Sequence, residues 1–341
     1  MGNTILKRQT RLFSYLLLSS VSFSSLVFAQ NNNIVIDQNA HQGAGAPHFV
    51  QSANGTDVLN IVKPTAGGVS HNKFIEYNVS DKNLILNNLS FNTNIGQAES
   101  TLGGTVAYNP NFGLGDAARV ILNEVTSNST TALKGYTEIF GKKAALIIAN
   151  PNGITAEGAG FINTSRLTMI TGKPNVVDGK VQDFAISTIG TIKVEGVGEE
   201  AFGLHVQGGG ADLVSQAVKI AGNIYVDADQ ELNVKTGNDT FDYESKKITS
   251  KPSVSETGEA TTPEVTVAID SSALGGMYAG RIKIEATQSG MGIRTDGNLV
   301  ADMDNVEITA DGDIVFKNTA AKNNVRVASA AGSVTHQNSG I

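Results

Sequence analysis

Three pairs of aspartates, each two residues apart, are the residues in this 341-residue sequence best suited to acid–base chemistry. The pairs are Asp227 with Asp229, Asp302 with Asp304, and Asp311 with Asp313. Two carboxylates about 5–10 Å apart can hydrolyse a glycosidic bond or bind calcium together. The last two pairs, however, stand where a strand pattern begins or ends, and aspartate is an ordinary turn residue there. We therefore predict structural turns, with a carbohydrate-active β-helix enzyme as a minor alternative.

Other catalytic and metal-binding patterns do not occur in the sequence. The histidines are scattered without the HxxH or HExxH spacing of a zinc site: His41, His48, His71, His205 and His336. The chain contains no cysteine, so it has no thiol nucleophile. The glycine-rich stretch at 208–210 lacks the lysine of a phosphate loop. We therefore expect no enzyme activity, no metal and no cofactor.

Two similar four-residue turns are the most specific motifs of the chain. Residues 109–112 read Asn-Pro-Asn-Phe, and residues 150–153 read Asn-Pro-Asn-Gly. Proline fixes φ at the second position of a turn, and the leading asparagine can hydrogen-bond the backbone two residues on. Gly153 suits the fourth position of a type I turn. Between the turns, Asn123 and Glu124 end an apolar strand, which by itself is ordinary for a corner.

The sequence around these turns resembles the N-terminal secretion domain of filamentous-haemagglutinin-like exoproteins. The resemblance is carried, in order, by FIEYNV at 74–79, LILNN at 84–88, ARVILNEV at 118–125, EIFGKKA at 138–144 and LIIA at 146–149. It covers about residues 33–300. These proteins are substrates of two-partner secretion in Gram-negative bacteria and include adhesins, haemolysins and contact-dependent growth-inhibition exoproteins. Phe112 departs from the family, which usually has leucine there.

The resemblance implies a secretion-targeting function. It implies that a cognate outer-membrane transporter of the Omp85 type recognises the domain through periplasmic POTRA domains, and that the chain then folds at the cell surface. The residues carried over as the secretion motif are Asn109, Pro110, Asn111, Asn123, Glu124, Asn150, Pro151, Asn152 and Gly153. The alternative is a module that itself binds a target or host cell surface as an adhesin.

Residues 1–29 have the features of a secretory signal that would engage the Sec machinery. Lys7, Arg8 and Arg11 precede a moderately apolar stretch, and cleavage is expected between Ala29 and Gln30. That segment holds three of the 25 basic residues and none of the 32 acidic ones, so the remaining chain has a formal charge of −10. Such a charge argues against a nucleic-acid partner.

A recurring strand phrase predicts the fold. Glycine followed by apolar residues at the second and fourth positions after it recurs at residues 190, 222, 280, 297 and 312, and incompletely at 332, where His336 takes the fourth position. Hairpin dipeptides are mostly missing between these strands, which favours stacked parallel rungs over a sandwich. We predict an all-β solenoid with an N-terminal cap at about 33–66. The family resemblance makes it a right-handed parallel β-helix with extra-helical β elements.

The predicted organisation has three parts. Residues 1–29 form the signal peptide, and 30–300 form the secretion domain. Residues 301–341 are expected to be further rungs of a longer exoprotein. Within the secretion domain, residues 235–263 are rich in polar residues and contain two prolines, so we expect a projecting loop there.

Overall fold

The computed structural model describes residues 32–41, 45–91, 96–249 and 267–337. The predicted signal segment and its cleavage site at Ala29 and Gln30 lie outside these residues. Within the described ranges, no helix is long and apolar enough to cross a bilayer.

The described chain folds into 33 short strands. The first sixteen are β1 (Asn33–Ile36), β2 (His48–Gln51), β3 (Asp57–Asn60), β4 (Val69–Asn78), β5 (Leu84–Asn88), β6 (Gln97–Ser100), β7 (Gly104–Ala107), β8 (Val120–Val125), β9 (Thr131–Leu133), β10 (Tyr136–Gly141), β11 (Ala144–Ala149), β12 (Ile154–Glu157), β13 (Ala159–Ile162), β14 (Thr164–Ile170), β15 (Gly172–Val177) and β16 (Lys180–Ile186). The remainder are β17 (Thr191–Glu195), β18 (Phe202–Val206), β19 (Gly210–Ser215), β20 (Ala217–Ile220), β21 (Asn223–Val226), β22 (Glu231–Thr236), β23 (Thr240–Asp242), β24 (Val267–Ser271), β25 (Met277–Ala279), β26 (Arg281–Ala286), β27 (Gly292–Thr295), β28 (Leu299–Ala301), β29 (Val306–Ala310), β30 (Ile314–Phe316), β31 (Thr319–Ala321), β32 (Val325–Ser329) and β33 (Val334–His336).

Three long sheets enclose the core. Sheet 1 has the order β1-β4-β8-β11-β14-β19-β22-β26-β29-β32, and sheet 2 has the order β2-β3-β5-β10-β13-β18-β21-β25-β28-β31. Sheet 3 runs β9-β12-β17-β20-β24-β27-β30-β33. The chain visits sheet 1, sheet 3 and sheet 2 in turn, and successive visits pair in parallel, as β8 with β11 and β11 with β14. The predicted parallel β-helix is confirmed.

The rungs stack in register because alternate residues face inward. In sheet 1, Ile148 lies between Asn123 and Met169 of the neighbouring rungs. The apolar inward residues, such as Ile148 and Met169, form one continuous core that runs through all three sheets. Glycine is needed where rungs approach most closely at a corner: a Cβ on Gly297 would lie 2.6 Å from the carbonyl oxygen of Gly275.

The N-terminal end of the helix is closed by antiparallel strands. β1 pairs antiparallel with β4 at the edge of sheet 1, and β2 pairs antiparallel with β3 at the edge of sheet 2. This part of the chain falls in the segment predicted as a cap. An antiparallel strand changes the hydrogen-bonding pattern at the edge of the sheet. A further parallel rung then cannot extend that edge, which is one way to end a solenoid.

Two additional β elements lie on the outside of the helix. The hairpin β6–β7 covers outward apolar residues of sheet 2, among them Ile85 and Phe140. A three-stranded antiparallel sheet, β15-β16-β23, covers the outward face of sheet 1, where Phe184 and Phe241 pack on Ile147. Both match the predicted extra-helical elements in kind.

The segment 235–263 differs in its described part from the projecting polar loop predicted for it. Lys235 and Thr236 end a strand of sheet 1 and are buried. Residues 240–242 form β23, and Phe241 is fully buried against Phe184. The aromatic side chains that occur among the polar residues of this stretch pack it against the outside of the β-helix. Residues 250–263 lie outside the described residues.

Candidate functional site

The second turn joins sheet 1 to sheet 3 and bonds to the corner of the preceding rung. The N–H of Gly153 donates to the carbonyl of Asn150 at 3.2 Å, and the N–H of Asn152 donates to Asn150 Oδ1 at 3.0 Å. Asn150 is fully buried, and its Nδ2 donates to Ser129 O at 3.0 Å and Thr131 Oγ1 at 2.9 Å. Asn150 therefore satisfies polar groups of a neighbouring rung, which no apolar residue could do.

Asn152 and Pro151 of the same turn are half-buried, unlike Asn150. Asn152 Nδ2 donates to the carbonyl of Ser127 at 2.8 Å, again in the preceding corner. Gly153 has φ +125°, and a Cβ there would lie 3.2 Å from the carbonyl oxygen of Thr191 in the following rung. A side chain at position 153 would therefore be strained, so glycine suits this position.

The first turn has the same internal hydrogen bonds as the second, but it lies at sheet 2. Phe112 N–H donates to the Asn109 carbonyl at 3.0 Å, and Asn111 N–H donates to Asn109 Oδ1 at 2.9 Å. Asn109 is fully buried, and its Nδ2 donates to the carbonyls of Ile61 and Asn87, both at 2.9 Å. This turn therefore ties two successive rungs of sheet 2 together.

The rest of the first turn contacts the N-terminal segment and the core. Asn111 Nδ2 donates to the carbonyl of Ala46 at 3.2 Å and to that of Ile61 at 3.1 Å. Phe112, where the family usually has leucine, is 5% exposed and lies in the main core. Pro110 is the exposed member of this turn.

Asn123 points into the core. Its Nδ2 donates to the Tyr77 hydroxyl at 3.0 Å, and its Oδ1 accepts from Asn72 Nδ2 at 3.2 Å. Burial raises the pKa of Tyr77, so its hydroxyl stays protonated, and Asn123 opposes that shift by its hydrogen bond. With 1% of its surface exposed, Asn123 has no access to a partner protein.

Glu124 is the neighbour that faces outward. Its Oε2 lies 2.7 Å from His71 Nε2 and 3.8 Å from Lys73 Nζ, so its charge is compensated within the chain. Glu124 also lines a groove of about 600 Å³ together with Pro151 and Asn152. The structure thus brings together three of the nine sequence-predicted site residues, which come from two successive rungs of sheet 1.

The other wall of this groove comes from residues that the sequence did not single out. It is formed by β15–β16 and the segment that follows, including Lys173, Ala185, Ile186 and Ile189. Ile189 is 76% exposed, more than any other large hydrophobic side chain in the described chain. We call the space between these walls the Glu124–Ile189 groove. None of the residues of the first turn lines it.

The three aspartate pairs lie at corners and bond to neighbouring rungs. Asp227 Oδ2 accepts from Gly208 N–H at 2.7 Å, and Asp313 Oδ1 accepts from Ser333 N–H at 2.7 Å. Asp304 pairs with Arg281 of the preceding rung. In the described part of the chain, no group of three or more histidine, aspartate or glutamate side chains could hold a metal ion. These contacts are those of structural turn residues.

Comparison with known proteins identifies the family. The sequence profile of the TPS secretion domain matches residues 32–316. The chain belongs to the TPS secretion domain family. It is 39% identical over 290 residues to the 16S rRNA endonuclease CdiA of Enterobacter cloacae, which covers 84% of this chain. It is 37% identical over 319 residues to a tRNA nuclease CdiA of Escherichia coli, which covers 93% of this chain.

A solved structure supports the same assignment. The filamentous hemagglutinin secretion domain superposes with a TM-score of 0.75 at 30% identity, over 89% of this chain and 95% of that one. The two CdiA relatives are far longer: the matched part spans 8% of the first and 9% of the second. The chain is therefore a secretion-targeting domain of the kind found in large CdiA-like exoproteins, and the resemblance identified from the sequence is confirmed.

Proposed function

We propose that this domain carries the signal by which an exoprotein is selected for export by one outer-membrane transporter. In this proposal the Sec machinery delivers the chain to the periplasm, and the signal segment is cleaved between Ala29 and Gln30. The periplasmic POTRA domains of an Omp85-type transporter then bind the secretion domain through its first rungs to form, and the remaining rungs form outside the cell. Membership of the TPS secretion domain family supports this role. The nuclease activities named for the relatives are not assigned to this domain.

The burial of the sequence-predicted residues favours one binding surface. Glu124, Pro151 and Asn152 are brought to a single groove, whereas Asn109, Asn123 and Asn150 are buried. A partner protein can contact only the first group in the folded domain. We therefore assign recognition to the Glu124–Ile189 groove, and we assign Asn109, Asn111, Asn123, Asn150 and Gly153 to holding the rungs in place.

The same surface can form early, before the whole domain has folded. Its inner wall comes from β8, β11 and the corners that follow them, and these strands pair directly with each other. A solenoid grows by adding one rung to its neighbour, so a few rungs suffice to build this wall. Folding that releases about 5–15 kcal/mol outside the membrane would then bias the passage outward without ATP.

Export of this chain tests the proposal. The chain is expressed with and without its cognate transporter, and its appearance in the medium is measured. Wild type is compared with Asn152→Ala, and Asn111→Ala serves as the control because it occupies the matched position of the first turn. We expect export to need the transporter and to fall in Asn152→Ala while the purified variant remains folded.

Asn111→Ala should lower export only as far as it lowers the free energy of unfolding, since it contacts the N-terminal segment and not the groove. Export of wild type in the absence of the transporter would contradict the proposed function. Equal export defects in the two variants at equal stability would contradict the choice of the groove.

A further inference from the structure

The Glu124–Ile189 groove holds one exposed apolar side chain and one uncompensated charge. Ile189 is 76% exposed, although most large apolar residues of the domain are buried. Lys173, on β15, is also exposed. Among the described residues no carboxylate lies within ion-pair distance of Lys173, while Glu124 is paired with His71 and Lys73. The lining of the groove therefore has one carboxylate, which is paired within the domain, and one ammonium group, which is not, on a domain that is acidic overall.

Ile189 is held in place by its surroundings. Ser187 N–H donates to the carbonyl of Thr171 at 2.7 Å. A Cβ on Gly190 would lie 2.6 Å from both the carbonyl oxygen of Pro151 and Cβ of Thr171, so the segment packs directly against the second turn. Because these contacts fix the backbone on both sides of Ile189, a partner that covers Ile189 has to order only its side chain, and such pre-organised residues are typical anchors of interfaces.

Several polar groups of the groove are already satisfied within the domain. Asn152 Nδ2 donates to the Ser127 carbonyl at 2.8 Å, and Ser127 Oγ donates to the Ile75 carbonyl at 2.5 Å. We therefore expect Pro151 and Asn152 to supply the inner surface against which a ligand packs, and Ile189 and the charge of Lys173 to select which ligand is accepted. An apolar side chain beside a carboxylate, on an extended segment that fits between two walls, meets both requirements.

We propose that the groove binds an extended segment of the transporter's periplasmic domains that carries an apolar side chain next to a carboxylate. Lys173 and Ile189 determine which transporter is accepted, and this inference rests on the proposed function. Both residues belong to the outer wall of the groove, which is inserted between β14 and β17 and takes no part in the three long sheets. This wall can change in sequence without changing the rungs, as a specificity element requires.

The test measures binding of the purified chain to the soluble periplasmic region of its transporter, together with export from cells. Lys173→Glu and Ile189→Ser are each compared with a matched variant outside the groove, Lys193→Glu on β17 and Leu274→Ser, which is 64% exposed in wild type. We expect each groove variant to weaken binding about tenfold or more, as loss of an anchor does. The controls should stay within about twofold of wild type.

Lys173→Gln separates charge from folding, because it removes the charge without introducing repulsion. It should weaken binding less than Lys173→Glu and reduce the dependence of binding on salt. A lysine introduced in place of one acidic residue of the transporter should restore binding of Lys173→Glu. Wild-type binding by both groove variants, with export still dependent on the transporter, would overturn this inference and leave the proposed function intact. Export without the transporter would overturn both.

Discussion

Buried asparagines hold the corners of this solenoid together. Asn88 Nδ2 donates to the carbonyls of Ala118 and Lys142 at 3.0 and 2.7 Å, and Asn109 and Asn150 bond to neighbouring rungs in the same way. At a corner the chain leaves one sheet before it joins the next, so backbone carbonyls lose their partners in the ladder. An amide with two N–H donors can satisfy two such groups in different rungs, which limits the cost of burying them.

His41 makes the attachment of the N-terminal segment depend on pH. Its Nε2 accepts the N–H of Lys73 in β4 at 2.8 Å, and Asp37 in the same segment accepts from Thr126 Oγ1 at 2.7 Å. Burial lowers the pKa of His41 below 6.5, and the nearby His71 and Lys73 lower it further, while Asp37 acts in the opposite direction. Protonation would place an N–H of His41 against the N–H of Lys73.

The lowered pKa of His41 determines in which direction stability changes with pH. Above pH 6.5 the imidazole is neutral in both states, and this contribution to stability is complete. As the pH falls through 6.5, the unfolded chain binds the proton first, and the folded state loses up to about 1 kcal/mol. We expect the free energy of unfolding in urea to decrease between pH 7.5 and 5.5, and His41→Gln, which keeps an acceptor but does not titrate, to show a smaller decrease.

His336→Gln is the control for that measurement. His336 stacks on Phe316 at the far end of the described chain and is exposed, so replacing it should leave the pH dependence unchanged. If His41→Gln retained the full pH dependence of wild type, another group would be responsible for it.

At the residue scale the sequence predicted the turns, but it could not show which of their residues are exposed in the folded domain. The Asn-Pro-Asn order dictates a local reversal, and both reversals form as expected. Whether a turn residue is buried depends on which rung lies beside it. Asn109 is covered because residues 61 and 87 come next to it, and nothing local in the sequence encodes that approach. Lys173 and Ile189 were missed for the same reason.

At the level of elements, the outer sheet β15-β16-β23 explains why some strands do not alternate. Ile147 and Ile148 are both fully buried, one under this outer sheet and one in the core. A strand buried on both faces reads as a continuous apolar run. The polar composition of 235–263 predicted a loop, but Phe241 and Tyr243 pack near Phe184, and a few aromatic side chains suffice to fold this stretch onto sheet 1.

A buried ion pair attaches the chain that follows β23 to sheet 1. Asp212 is 1% exposed and accepts two hydrogen bonds from Arg166, and Lys246 Nζ lies 3.6 Å from its Oδ2. Burial alone would raise the pKa of Asp212, but Arg166, Lys246 and Asn233 bring it below its ordinary value. Lys246 also lies 3.6 Å from the centre of the Tyr243 ring. These contacts join β14 and β19 to the chain that follows β23.

Asp212→Asn tests how much this ion pair contributes to stability. The variant leaves the positive charges of Arg166 and Lys246 without their shared carboxylate, so we expect the free energy of unfolding to fall by about 3 kcal/mol. Limited proteolysis should also cut residues 240–249 faster than in wild type. The control is Asp270→Asn at the surface pair with Arg294, which should cost about 1 kcal/mol or less. Equal losses in the two variants would show that burial of Asp212 adds nothing.

On the scale of the whole molecule, each rung depends on its two neighbours. The pairing in every long sheet runs from one rung to the next, and a single apolar core passes through all of them. Stability in such a rod is close to a sum of rung and interface contributions. The sequence predicted this architecture from the strand phrase, because its glycines mark corners in all three sheets. It did not predict the exact rung boundaries, which depend on the outer insertions.

Gly297→Ala tests the dependence of each rung on its neighbours. A Cβ at position 297 would lie 2.6 Å from the backbone oxygen of Gly275, so the two rungs must separate, at an expected cost of about 1–3 kcal/mol. Gly96→Ala is the control, because no atom lies within 4 Å of the added Cβ. Hydrogen exchange should show faster exchange in β25–β33 and unchanged protection in β8–β14, where the Glu124–Ile189 groove forms. Binding to the transporter should then stay within about twofold of wild type. A uniform loss of protection along the chain would instead mean that the solenoid unfolds as one cooperative unit, and that a defect far from the groove can still impair recognition.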